Sequence, residues 1–175
     1  VLAGEQALKR GHWRKAENAA TVAQRLSPSL PSAVLLAGRI KLMQHQTEAA
    51  YGILKDAAHG PSGNLMGLEL GWLYLQRGEL PMALSTLSDE VTRNPLNIEA
   101  HCLLLECYWT VKRYDEMKRL ADVLRAEKCE NTAIENAGLL ARLGLQELDA
   151  TWLQKLVARN KGSPVSIYNL QVALV

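Results

Sequence analysis

An all-α solenoid of stacked antiparallel helix pairs is the fold class that the sequence predicts, and three observations predict it. A unit of about 34 residues recurs along the chain and aligns on Gly11–Ala16, Gly78–Ala83 and Arg113–Met117. Pairs of small or apolar residues stand at Ala3–Gly4, Ala37–Gly38, Leu70–Gly71, Leu104–Leu105 and Ala137–Gly138, at successive spacings of 34, 33, 34 and 33. Helical patterning is broken alternately by a tight turn (Gly11, His45, Gly78, Lys112, Gly144) and by a longer one (Pro28, Pro61, Pro95, Cys129–Asn131, Gly162–Pro164). A self-repeating array of this kind has an extended surface in place of a single chemical centre.

The units are expected at 1–28, 31–61, 64–95, 98–129 and 131–162, with the start of a sixth at 164–175, all in one domain spanning 1–175. In each, a first helix carries the small pair, because a residue with little or no side chain lets two helix backbones approach closely. That explains a glycine inside a helix, where it costs about 1 kcal/mol relative to alanine. Each second helix begins with a small residue, at Ala16, Ala50, Ala83 and Ala150. Met117 takes that place in the fourth unit, which is expected to pack more loosely there. Gly11 and Gly78 suit a left-handed helix C-cap. His45 and Lys112 lack that freedom, so their turns are expected to be strained or differently shaped. Pro81 falls in the first turn of its helix, where a missing amide proton costs nothing.

These positions resemble the tetratricopeptide repeat. The third unit carries the family's pattern best, with Leu70-Gly71, Tyr74, Gly78, Ala83, Leu87 and Pro95. The first has Ala3-Gly4, Ala7, Gly11, Trp13, Ala16, Ala20, Ala23 and Pro28, and the second Ala37-Gly38, Ala50, Leu54 and Ala57. The fourth has His101, Leu104, Tyr108, Tyr114, Ala121 and Leu124 but lacks the glycine and the closing proline. A poorer fifth runs through Ile134, Ala137-Gly138, Ala141, Ala150 and Val157, and Ile167, Leu170 and Leu174 suit the first helix of a sixth. The resemblance implies a right-handed superhelix with first helices lining a concave face and second helices the convex one. It also implies an intra-repeat structural role for Trp13. Some members clamp acidic tails with lysines, asparagines and an arginine on first helices. Here those places hold Leu35, Leu36, Arg39, Leu68, Glu69 and Trp72, and only Arg39 suits a carboxylate.

Composition narrows the function classes. The chain is 48% hydrophobic, which suits a folded protein. Its 20 basic and 18 acidic residues give a formal charge of +2, too little to argue for nucleic acid or an anionic membrane. No apolar run is long enough to insert in a bilayer. Cys102, Cys107 and Cys129 form no close pair, so they read as small buried residues and not as a disulfide framework, which leaves the compartment open between periplasm and cytoplasm. The opening at Val1 and the ending at AlaLeuVal, within apolar helical pattern, lead us to expect a piece of a longer protein.

Catalytic chemistry finds no foothold, and no enzyme activity, cofactor or metal is expected. His12, His45, His59 and His101 lie in different turns or units, none at i, i+4 spacing. Ser85, Ser88, Ser163 and Ser166 occupy no nucleophile elbow, and Gly60–Asn64 lacks the lysine of a phosphate-binding loop.

Function is therefore expected on a surface, as a scaffold that recruits a peptide segment or partner protein. The groove-facing places are Glu5, Leu8 and Lys9, then Leu35, Arg39, Leu42 and Met43. Leu65, Leu68, Trp72, Leu75 and Gln76 follow, then Cys102, Glu106, Trp109 and Thr110, and finally Glu135, Leu139, Arg142 and Leu143. Trp72 and Trp109 are the expected anchors, and Arg39 and Arg142 the expected charge-assisted contacts, because tryptophan and arginine dominate interfaces by energy. The remaining partner-binding candidates are Leu42, Met43, Leu68, Leu75 and Glu106. The alternative is a structural or self-association module, forming a homo-oligomer through Trp152 or the terminal units.

Overall fold

The computed structural model describes residues 1–27, 30–58, 65–127, 129 and 131–147. Expectations placed on Pro28, His59, Gly60–Asn64, Ala150, Trp152, Val157 and 160–175 lie outside the described residues. Among those described, the secondary structure is entirely helical: α1 (Leu2–Lys9), α2 (Trp13–Leu26), α3 (Pro31–Met43), α4 (Thr47–Ala58), α5 (Gly67–Gln76), α6 (Leu80–Arg93), α7 (Ile98–Thr110), α8 (Tyr114–Ala126) and α9 (Thr132–Gly144). They fall into two compact units, Val1–Ala100 and His101 onward. In the first, α1 packs on α2, α3 on α4 and α5 on α6, and α3 and α5 each also seat on the preceding pair. In the second, α9 packs on α8.

The repeat is written most plainly in the backbone. At the end of α1, the Gly11 N–H donates to Leu8 O at 2.9 Å and the His12 N–H to Ala7 O at 2.8 Å. The same two bonds recur at His45 and Gln46, Gly78 and Glu79, Lys112 and Arg113, and Gln146 and Glu147. This is a Schellman motif, which satisfies the orphan carbonyls of a helix end by one left-handed residue. That residue has φ of 72° at Gly11, 59° at His45, 70° at Gly78, 58° at Lys112 and 58° at Gln146. The turns at His45 and Lys112 thus share the glycine shape, and their strain lies in the positive φ. The fifth turn is centred on Gln146 and not on Gly144, as the sequence suggested. Gly144 is small for another reason: a Cβ there would lie 2.6 Å from the Tyr114 ring.

Left-handed backbone costs a residue with a Cβ about 1–2 kcal/mol. A Cβ at Gly78 would meet nothing within 4 Å, so Gly78→Ala isolates that backbone cost. It is expected to lower stability by about 1 kcal/mol. Lys112→Gly is expected to raise it by about 0.5 kcal/mol, the strain relief being partly offset by the freedom glycine gives the unfolded chain. Urea denaturation of both variants measures the two signs.

The second helices bury the same three places, spaced i, i+4 and i+7 along one face. These are Ala16, Ala20 and Ala23 in α2, Ala83, Leu87 and Glu90 in α6, and Met117, Ala121 and Leu124 in α8. In α4, Ala50 and Leu54 are buried and Ala57 half-buried. Met117 is 2% exposed, so looser packing in the fourth unit is not found. A flexible thioether fills space that a branched side chain could not. Opposite these faces lie the first-helix glycines. A Cβ on Gly38 would fall 2.5 Å from Leu54 Cδ2, and one on Gly71 would overlap Leu87. A Cβ on Gly4 would fall 2.5 Å from Leu36 Cδ2. Leu36 and Ile40 close a cluster with Ala7, Ala16 and Ala20, where small side chains on one pair receive large ones from the next. Trp13 stands outside this interior, at the start of α2 and 38% exposed.

Glu90 is the exception on these faces. It is a carboxylate where the register calls for an apolar residue, and it is buried. Asn97 Nδ2 donates to its Oε1 at 2.9 Å, and Arg93 Nη2 approaches its Oε2 at 3.9 Å. Asn97 Oδ1 in turn accepts the Ala100 N–H at 3.2 Å, in the first turn of α7. Glu90 therefore holds the asparagine that caps the next helix.

Candidate functional site

A second stripe repeats on the first helices, again at i, i+4 and i+7. It comprises Val1, Glu5 and Leu8; Leu35, Arg39 and Leu42; and Leu68, Trp72 and Leu75 in the first unit. In the second unit it comprises Cys102, Glu106 and Trp109, and Glu135, Leu139 and Arg142. The helices turn their other face inward: α5 buries Leu70, Gly71, Leu73 and Tyr74, which leaves Leu68, Trp72 and Leu75 half-buried at the edge of the core. Arg39, Leu42, Trp109 and Arg142 are likewise half-buried, and Met43 and Glu106 are exposed. Leu35 departs from the expected groove-facing set, being buried in the core.

Charge on this stripe is largely spent within the protein. Arg39 Nε donates to Glu69 Oε1 at 2.6 Å, and its Nη1 lies 3.9 Å from Glu5 Oε1. One guanidinium thus links α1, α3 and α5. Glu69 is 8% exposed, and its Oε2 finds no hydrogen-bond partner. In the second unit Arg142 Nη2 donates to Asp122 Oδ1 of α8 at 2.9 Å, and Arg125 also approaches that oxygen, at 3.6 Å. Both arginines expected to meet a partner therefore hold the stack together. The sequence reading missed Glu69 as the partner of Arg39, and also Asp122 and Glu90. The signal for the first was an acid beside Leu70-Gly71, one unit after an arginine beside Ala37-Gly38.

The aromatic rings differ in their support. The Trp109 ring stands 5.4 Å from that of Tyr114, tilted by 49°, which fixes its orientation across the turn from α7 to α8. Tyr51 packs edge-on to Tyr74 at 5.9 Å, and Arg77 lies 4.3 Å over the Tyr51 ring. Arg77 also pairs with Glu48 at 2.6 Å and Glu79 at 2.7 Å, bonds that raise its pKa further. Glu106 makes no ion pair among the described residues. Partial burial of its carboxyl nonetheless pushes its pKa above the usual carboxylate value.

Cys107 is buried, and burial, with the nearby Glu106 charge, pushes its thiol up to about 11, so it behaves as a small apolar residue. Cys102 and Cys129 are half-buried, and none of the three cysteines is in a disulfide. Among the described residues no three His, Cys, Asp or Glu side chains gather to hold a metal ion. No helix among them is long and apolar enough to cross a membrane.

No protein-family model and no curated protein sequence matches the chain. Solved structures do. A tetratricopeptide repeat protein from Parabacteroides merdae ATCC 43184 is similar with a TM-score of 0.72 at 18% identity, over 98% of this chain and 70% of its own. MamA protein is similar with a TM-score of 0.67 at 16% identity, over 98% of this chain and 86% of its own. At such identities the likeness speaks for architecture, and it agrees with the recurring Schellman turns and glycine-backed helix pairs: the chain has a tetratricopeptide-repeat type of fold.

Proposed function

We propose that this chain is a non-catalytic, protein-binding scaffold that recruits a peptide segment or partner protein through the first-helix stripe. The observation that carries the reading is the half-buried state of Trp72 and Trp109 on the stripes of successive first helices, Trp72 at the middle place of α5 and Trp109 at the last place of α7. A ring seated at its base and open on one side offers large contact area at little cost in side-chain entropy. In the first unit Leu68 and Leu75 flank Trp72 on α5, and Leu42 and Met43 supply apolar surface on α3. Arg39 and Arg142 act on this account as supports of the face, with their partner-facing atoms as a lesser contribution.

Self-association is the second reading, and a different surface favours it. Between the start of α1 and the C-terminal half of α2, Val1, Asn18, Ala19, Val22, Ala23 and Leu26 line an open hollow of about 350 Å³, and Leu26 is 82% exposed. The two readings separate by experiment. Proteins that bind the full-length protein are measured against Trp72→Ala, Trp109→Ala and Leu26→Ser, with circular dichroism as the check on folding. Each tryptophan substitution is expected to weaken binding about thirtyfold, the size of an interface hot spot, and Leu26→Ser to leave it unchanged. Unaltered affinity in both tryptophan variants, with the fold intact, would sink the proposal.

A further inference from the structure

Resting on that reading, we propose that the α7 part of the stripe, through Glu106 and Trp109, receives a lysine or arginine side chain of the partner segment. Four observations on the second unit and its neighbour support this. Glu106 and Trp109 lie one turn apart on one helix face, so a group docked on the ring is within reach of the carboxylate. The Trp109 ring is held by Tyr114, which presets a π-face. No cationic side chain among the described residues pairs with Glu106, which stands exposed on α7 and open to a cation from outside. Finally, the protein builds the same trio from its own residues twice. Arg77 sits over Tyr51 between Glu48 and Glu79, and Arg113 lies 5.3 Å over Tyr108 while bonding Glu116 at 2.6 Å.

The two arginines expected on the face are already engaged. Arg142 is held by Asp122, and in the first unit Arg39 is shared between two carboxylates. An acidic partner would meet Glu106 without a compensating cation, so the surface selects against it. The preference is not inherited from composition, since the whole chain carries a formal charge of +2.

A displayed library of random dodecapeptides, panned on the wild-type protein and on Trp109→Ala, Glu106→Gln and Glu106→Lys, tests the proposal. The expected result is a set of peptides that needs Trp109 and contains lysine or arginine at a fixed place. Their affinity is expected to fall about tenfold in Glu106→Gln, and Glu106→Lys is expected to select acidic residues at the same place. Peptides that need Trp109 but carry no fixed cation, or bind Glu106→Gln unchanged, overturn this inference and leave the binding face standing. If panning yields no peptide that depends on Trp109, both fall.

Discussion

Leu87→Ala is expected to lower stability by about 3 kcal/mol, because it removes a fully buried side chain from the face of α6 on which α5 rests. Gly71→Ala is expected to cost about 2 kcal/mol for the opposite reason, overpacking, since its new Cβ would overlap Leu87. The double variant decides whether the close approach is the cause. Removing the Leu87 branches opens room for the new methyl, so the two losses should fall short of additivity by about 1 kcal/mol or more. Urea denaturation of the four proteins gives the coupling. Strict additivity would mean that Gly71 serves something other than helix approach.

The next largest effect is expected at Arg39. Arg39→Met leaves Glu69 buried without its cation, which costs about 3–5 kcal/mol for fully buried pairs. The Arg39 side chain is 38% exposed, so solvent screening should reduce the loss to about 2 kcal/mol. Adding Glu69→Leu should restore most of it, because an apolar pair of similar volume needs no solvation. Thermal melts of the two single variants and the double show this. A different outcome, in which Arg39→Met leaves stability unchanged and weakens partner binding, would return Arg39 to the contact role that its sequence position first suggested.

The architecture was legible in the sequence because its causes are local. The small residue where two helices approach, the breaker at each turn and the 34-residue spacing are each written at one position, and the helix pairs follow from them. The Schellman turns show where locality fails. Gly11 and Gly78 announce the positive φ, whereas His45, Lys112 and Gln146 adopt it because the bonds on either side impose it. That is also why the fifth turn was placed two residues early, at Gly144. Charge pairing was the least legible. Arg39 meets Glu69 across 30 residues, and only the stacking of one pair on the next brings them together. Of the residues expected on the groove-facing side, Leu35 is buried in the core. Periodicity gives a side chain's direction, while its burial depends on the neighbouring helix.

Oxidative footprinting of the tryptophans with and without a bound partner tests the central claim most directly, because Trp13, Trp72 and Trp109 each start with surface to lose. The account predicts that Trp72 and Trp109 become protected from oxidation on binding, while Trp13, on a second helix, reacts as before. Protection of Trp13 with Trp72 and Trp109 unchanged would contradict it and move the binding surface to the second helices.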